Sequence, residues 1–178
     1  MRKISGMLLV LMVVFALPLR AQTDTPVARP QDVSSADAIV AAVYDVISGP
    51  AGQKRDWKRF ESLFLPGAGR LIGTGQRPDG TVGYRVMTPA EYAASSGAQL
   101  EANGFFEREI HRVTETFGNV THAFSTYESL RTATDEKPFA RGINSIQLLN
   151  DGKRWHVVTI FWDSERANNQ IPAKYLKK

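Results

Sequence analysis

The chain has 178 residues, with 22 basic and 18 acidic side chains, 43% hydrophobic residues and no cysteine. The missing cysteine excludes a disulfide framework, thiolate chemistry and a lipid-anchored cysteine. Removal of the first 21 residues would take away Arg2, Lys3 and Arg20 and lower the formal charge from +4 to +1. The remainder then lacks the basic excess that nucleic-acid binding requires.

Arg2 and Lys3 precede an apolar run from Met7 to Leu17. That run is too short to span a bilayer and suits the core of a signal peptide. Ala21 is the small residue expected before the cut, so residues 1–21 read as a signal peptide. The expected address is exported, periplasmic or secreted, with no stable membrane anchor after cleavage. Residues 22–34 carry Pro26 and Pro30 among polar neighbours and read as a flexible lead-in. One domain is expected over residues 35–165. The tail 166–178, with Lys174, Lys177 and Lys178, is expected to be a solvated basic end.

Ser34 or Ser35 can cap a first helix whose apolar positions are Ile39, Val40, Val43, Tyr44 and Ile47, stopped by Ser48-Gly49-Pro50. Asp56 can cap a short second helix with Trp57, Phe60, Leu63 and Phe64. Arg70 to Ile72 and Val82 to Met87 read as two short strands around a Pro78-Asp79-Gly80 turn, with Gly73-Thr74-Gly75 in a turn. Thr88-Pro89-Ala90-Glu91 is a capping-box start for a third helix that ends at Gly104. Ser95-Ser96-Gly97 in its interior makes it a weak helix that needs packing to hold it.

From Phe105 the apolar period becomes two. Phe105 to Phe117 and Val120 to Leu130 form one expected hairpin, around Gly118-Asn119. Phe139 to Leu149 and Arg154 to Asp163 form the next, around Asn150-Asp151-Gly152-Lys153. Strands this long must twist and bend. The expected class is α+β, with three N-terminal helices packed on a strongly curved antiparallel sheet.

The element order, the Asp56-Trp57 helix start, and Asp151-Gly152-Lys153-Arg154-Trp155 followed by alternating apolar residues resemble the nuclear-transport-factor-two-like superfamily. That group includes polyketide-cyclase-like and ketosteroid-isomerase-like proteins. The resemblance covers residues 35–165 and implies a cystatin-like cone, in which the bent sheet wraps the helices and leaves a pocket at its open end. It implies either a ligand-binding or dimerisation module, or an isomerase or dehydratase using a pocket Asp or His.

Direct pairing across the last hairpin puts Leu148 opposite Trp155, Ile146 opposite Val157, Asn144 opposite Thr159 and Gly142 opposite Phe161. This more apolar face is assigned to the helices and pocket, so Asn144, Thr159 and Asp163 become pocket candidates. Trp57, Phe60 and Tyr92 from the helices and Tyr127 from the sheet are expected to join them. The opposite face, with Ile143, Ile160 and Trp162, is expected to be a homodimer interface. In the preceding hairpin Glu107, Glu109 and His111 share one face, and Glu109 with His111 is the candidate acid–base pair. The bland alternative for these residues is a solvated or dimer-facing charged ladder.

No metal site is expected from three scattered histidines, and no cofactor fingerprint is present. The expected function is an exported small-molecule-binding or interaction domain for a neutral, partly apolar ligand. The alternatives are a cofactor-free isomerase, dehydratase or cyclase using a pocket carboxylate or histidine, and an accessory subunit of an envelope complex.

Overall fold

The structure is a computed structural model that describes residues 26–176. The expected signal peptide, its cut near Ala21 and the first part of the lead-in lie outside the described residues.

A 3-10 turn at Pro30–Val33 leads into α1 (Ala36–Ile47), and α2 is Trp57–Ser62. The Ser35 hydroxyl accepts from the Ala38 amide and the Asp56 carboxylate accepts from the Arg59 amide, so both caps form as the sequence predicts. β1 (Arg70–Gln76) and β2 (Val82–Met87) precede α3 (Pro89–Asn103). Thr88 and Glu91 close a complete capping box at the start of α3. β3 (Phe106–Phe117), β4 (Val120–Leu130), β5 (Ala140–Asn150) and β6 (Trp155–Ser164) complete the six-stranded sheet. Its order is β2-β1-β6-β5-β4-β3, antiparallel throughout except for β1 beside β6. Gly73-Thr74-Gly75, expected in a turn, continues β1 and pairs with β2.

The sheet curls around the helices without closing. All five expected apolar positions of α1 are buried, and they meet Ala123, Ile146, Leu148, Val157 and Ile160 of the sheet in one core. Phe60, Leu63 and Phe64 extend that core from α2 and the residues just after it.

Two β-bulges change the register that uniform pairing predicts. The last hairpin opens with Asn150 opposite Trp155, and Asp151 itself does not have positive φ; Gly152 alone does, at 86°. The Asp151 carboxylate accepts from the Lys153 and Arg154 amides and closes a four-residue loop. The ladder then slips between Gln147 and Leu148, where Val158 is the extra residue on β6. The slip falls where β6 changes its other neighbour. Val157 bonds to Leu63 and Leu65 beyond α2, whereas Thr159 to Trp162 pair with β1.

The slip reverses part of the expected face assignment. Asn144 pairs with Trp162, and Ile146 with Ile160. Ile160 and Trp162 therefore lie on the concave face, not on an outer dimer face. Thr159 pairs with Gln147 on the outer face, so it leaves the pocket set. Ile143 does lie on the outer face, opposite Asp163.

The second bulge separates Glu109 from His111. Glu109 pairs with Tyr127, His111 with Thr126, and Ile110 is the extra residue. Glu107 and Glu109 share the concave face with Ser125, Tyr127 and Ser129. His111 falls on the outer side with Thr126, which breaks the expected acid–base pair.

The tail also departs from the expected solvated end. Ile171 is buried, its amide donating to Glu165 Oε1 at 3.1 Å. The Thr126 hydroxyl donates to the Tyr175 carbonyl at 2.7 Å, and Tyr175 meets Phe124 edge-on. Residues 171–175 thus form a strap across the outer faces of β4 and β5.

Candidate functional site

The concave side encloses a chamber of about 350 Å³. Val43 and Ile47 of α1, Phe60 of α2, Tyr92 and Leu100 of α3, and Leu71, Ile160 and Trp162 of the sheet form its apolar walls. Gln99, Arg131 and Phe139 are exposed and mark its mouth. Tyr127, Ser129, Asn144, Ser164 and Glu107 bring polar atoms to it.

Glu107 is the chamber's carboxylate. The apolar surroundings push its pKa up to about 7, because burial penalises the charged form. Two donors hold it from rising further: Ser129 Oγ at 3.0 Å and Asn144 Nδ2 at 3.3 Å. A carboxyl so placed exists in both protonation states near neutral pH and can accept or donate a hydrogen bond.

A polar chain supports this group from behind. Asn144 Nδ2 also donates to the Tyr44 hydroxyl at 3.1 Å, and Tyr44 meets Ser125 Oγ at 2.7 Å. Ser125 donates to Glu109, Glu109 pairs with Arg112 at 2.8 Å, and Arg112 reaches Asp37 at the surface. Both hydrogens of the Asn144 amide are thereby committed, one to Glu107 and one to Tyr44. This fixes the amide orientation and the Glu107 rotamer together.

Tyr92 and Tyr127 are both held protonated. Burial raises the Tyr92 phenol well above its ordinary range, helped by the nearby Glu107. Burial pushes Tyr127 up to about 12. Tyr127 reaches across β5 to Ser164 Oγ at 3.1 Å. It passes over Gly142, where a side chain would meet the phenol oxygen at 2.5 Å. Tyr92 lines the chamber, and its hydroxyl has no hydrogen-bond partner among the described residues.

Of the residues the sequence nominates, Phe60, Tyr92, Tyr127 and Asn144 line the chamber together. Trp57 does not. Its indole packs against Gly97, and its Nε1 donates to Glu101 Oε1 at 3.0 Å, so it supports the wall from outside. Asp163 lies on the outer face in a groove of about 370 Å³ beneath the strap, with Ile143, Phe161 and Tyr175. There it is bound by Arg166 and Asn169. Glu109 is held behind the chamber by Arg112 and Ser125 and does not line it. The sequence reading does not single out Glu107 or Ser129 for the chamber. Their signal was present, since Glu107 lies two residues from Glu109, but choosing between the two carboxylates requires the position of the bulge. Among the described residues no group of three or more His, Asp or Glu side chains is arranged to hold a metal ion.

No protein-family model matches the sequence, and no curated protein is significantly similar to it. Solved structures are similar in shape. A protein of unknown function with a cystatin-like fold from Nostoc punctiforme aligns with a TM-score of 0.53 at 11% identity, covering 72% of this chain and 87% of its own. A function-unknown protein from Mycobacterium tuberculosis aligns with a TM-score of 0.53 at 15% identity, covering 77% and 75%. The fold is cystatin-like, an α+β architecture with a curled sheet. An NTF-2 like protein of unknown function from Silicibacter pomeroyi aligns more loosely, with a TM-score of 0.48 at 14% identity, covering 74% and 94%. At these identities the likeness concerns architecture, and function has to be argued from the site.

Proposed function

We propose that the chamber binds one small, partly apolar molecule whose inner end is uncharged, and that Glu107 is the group that meets that end. The observation that carries this reading is a carboxyl with a pKa of about 7 in the wall of a chamber of about 350 Å³ whose walls are mostly apolar. The probe is 2-naphthol, an apolar two-ring body with one hydroxyl. Calorimetric titration is expected to give saturable one-to-one binding that weakens about tenfold or more in Ile160→Trp, which fills the chamber. No saturable binding, or equal binding by both proteins, refutes the reading.

A second reading is proton transfer without a cofactor, of the isomerase, dehydratase or cyclase type, with Glu107 as acid or base. The observation in its favour is that Tyr92, whose hydroxyl has no hydrogen-bond partner among the described residues, lines the same chamber as a carboxyl with a pKa of about 7. The check is exchange of the acidic C–H protons of 2-tetralone in heavy water, followed by proton NMR. This reading expects protein-dependent exchange that Glu107→Gln abolishes; no acceleration leaves binding alone.

The site is further proposed to act after export, on the strength of Arg2, Lys3, the apolar run Met7 to Leu17 and Ala21. Intact-mass analysis of the exported fraction should show a chain beginning near Gln22. A full-length mass confined to the cytoplasm would sink this proposal.

A further inference from the structure

Among the described residues two charged side chains line the chamber, Glu107 in its wall and Arg131 at its mouth. They differ in what already holds them. Glu107 receives Ser129 and Asn144. The Arg131 guanidinium sits over the Phe139 ring, its central carbon 4.1 Å from the ring centroid, and Phe139 in turn meets Phe105 edge-on at 6.2 Å. The cation–π contact holds the guanidinium at the ring, and its N–H groups have no hydrogen-bond partner among the described residues.

The other arginines on this part of the sheet are committed. Arg108 pairs with Glu128, Arg112 with Glu109, Arg141 with Glu165, and Arg166 with Asp163. Arg154 donates to the Ser62 carbonyl. Arg131 has no ion pair among the described residues, although Asp135 is close. The Asp135 carboxylate is occupied by the amides of Arg131 and Thr132 and by the Thr132 hydroxyl.

The register places the two charges on one line of the chamber wall. Ser129 lies opposite Glu107 and donates to it. Arg131 follows two residues later, about 7 Å further toward the mouth at roughly 3.4 Å per residue. The wall is thus a strip with a hydrogen-bonding carboxyl inside, aromatic and aliphatic surface between, and a free cation outside.

We propose that the chamber's cognate ligand is an amphipathic monocarboxylate. Its apolar body fills the chamber, its inner hydroxyl or carbonyl meets Glu107, and its carboxylate pairs with Arg131 at the mouth. A single guanidinium offers the two-pronged edge that a carboxylate matches. A phosphate dianion would keep an unneutralised charge there. The proposal rests on the chamber being the binding site.

The test compares 2-naphthol with 6-hydroxy-2-naphthoate, which adds a carboxylate at the opposite end of the same ring system. Both are titrated calorimetrically at pH 6 and low salt. The quantity read is the ratio of their affinities. A preference of about tenfold for the acid is expected, falling several-fold in high salt because the pair at the mouth is exposed. Arg131→Gln should bring the ratio near one, and Arg131→Lys should keep part of it. Phe139→Leu, which removes the shelf under the guanidinium, should lower it as well and serves if the glutamine variant is poorly folded. A ratio near one in the parent protein, or a preference that survives Arg131→Gln and Phe139→Leu, overturns the monocarboxylate assignment while chamber binding stands. Failure of both probes to bind refutes the chamber itself, and this proposal falls with it.

Discussion

Ionising a carboxyl in an apolar wall costs free energy that an exposed carboxyl in the unfolded chain does not meet, and Glu107 carries this cost in the native state. Its folded pKa of about 7 stands above the 4.5 of an ordinary exposed glutamate, so between those values the native state holds a proton that the unfolded state has released. Stability from this group is therefore fully present below about pH 4.5 and is lost as pH rises through 7. The loss should approach about 3 kcal/mol, at roughly 1.4 kcal/mol per unit of pKa. Urea unfolding of the parent protein between pH 5 and 8 should show the decline, and Glu107→Gln should flatten it. A parent protein as stable at pH 8 as at pH 5, relative to that variant, would show that Glu107 is not held in an apolar site. The identity of this residue was only half legible. The alternation from Phe105 onward put Glu107 and Glu109 on one face, as observed, but Ile110 bulges out and carries His111 to the other side. Simple alternation has no term for an extra residue, so the wrong carboxylate was paired with the wrong imidazole.

Whole elements were more legible than their registers. Capping at Ser35, Asp56 and Thr88, the turn at Gly118-Asn119 and the strand pair around Pro78-Asp79-Gly80 all depend on local chemistry that the sequence displays. The slip at Val158 depends on Leu63 and Leu65 bonding to Val157 from far along the chain, and nothing local announces it. α3 shows the same dependence on a distant partner. Gly97 weakens the helix, yet its missing side chain is what lets the Trp57 indole lie against it, since a Cβ there would be about 3.0 Å from the ring. Glu101, one turn further on, accepts from the same indole. Gly97→Val should therefore destabilise the protein by about 1–3 kcal/mol through overpacking, despite replacing a helix-weakening glycine. Trp57→Leu in the same chain should recover part of the loss, because the two sites share one contact. Thermal or urea unfolding of the two single variants and the double variant checks this. Additive effects would show that the indole does not set the requirement for glycine.

At the scale of the whole molecule, the outer face of the sheet is divided in two. The strap covers β4 and β5, where Thr126 is fully buried and Ile143 lines the groove beneath it. From the rim of the groove outward, the register sets Phe161 of β6, Ile72 of β1 and Val86 of β2 side by side in one row. Val86 is 51% and Phe161 46% exposed, and Tyr84, two residues from Val86 on the same face, is 74% exposed. An aromatic and aliphatic row of this kind, on a face that no helix covers, is the surface by which the proposed homodimer would form. The expected interface thus moves from Ile160 and Trp162, which wall the chamber, to their outward neighbours. The two positions make opposite predictions. Phe161→Glu should convert a dimer to a monomer without loss of the fold, read by light scattering on a sizing column together with circular dichroism. Trp162→Glu places a charge in the apolar chamber beside Tyr92 and should lower the unfolding midpoint whatever the subunit count. A parent protein that is monomeric at high concentration would refute the dimer. A dimer that persists in Phe161→Glu would move the interface away from this row, toward other exposed apolar residues such as Phe117 and Val120 at the tip of the β3–β4 hairpin.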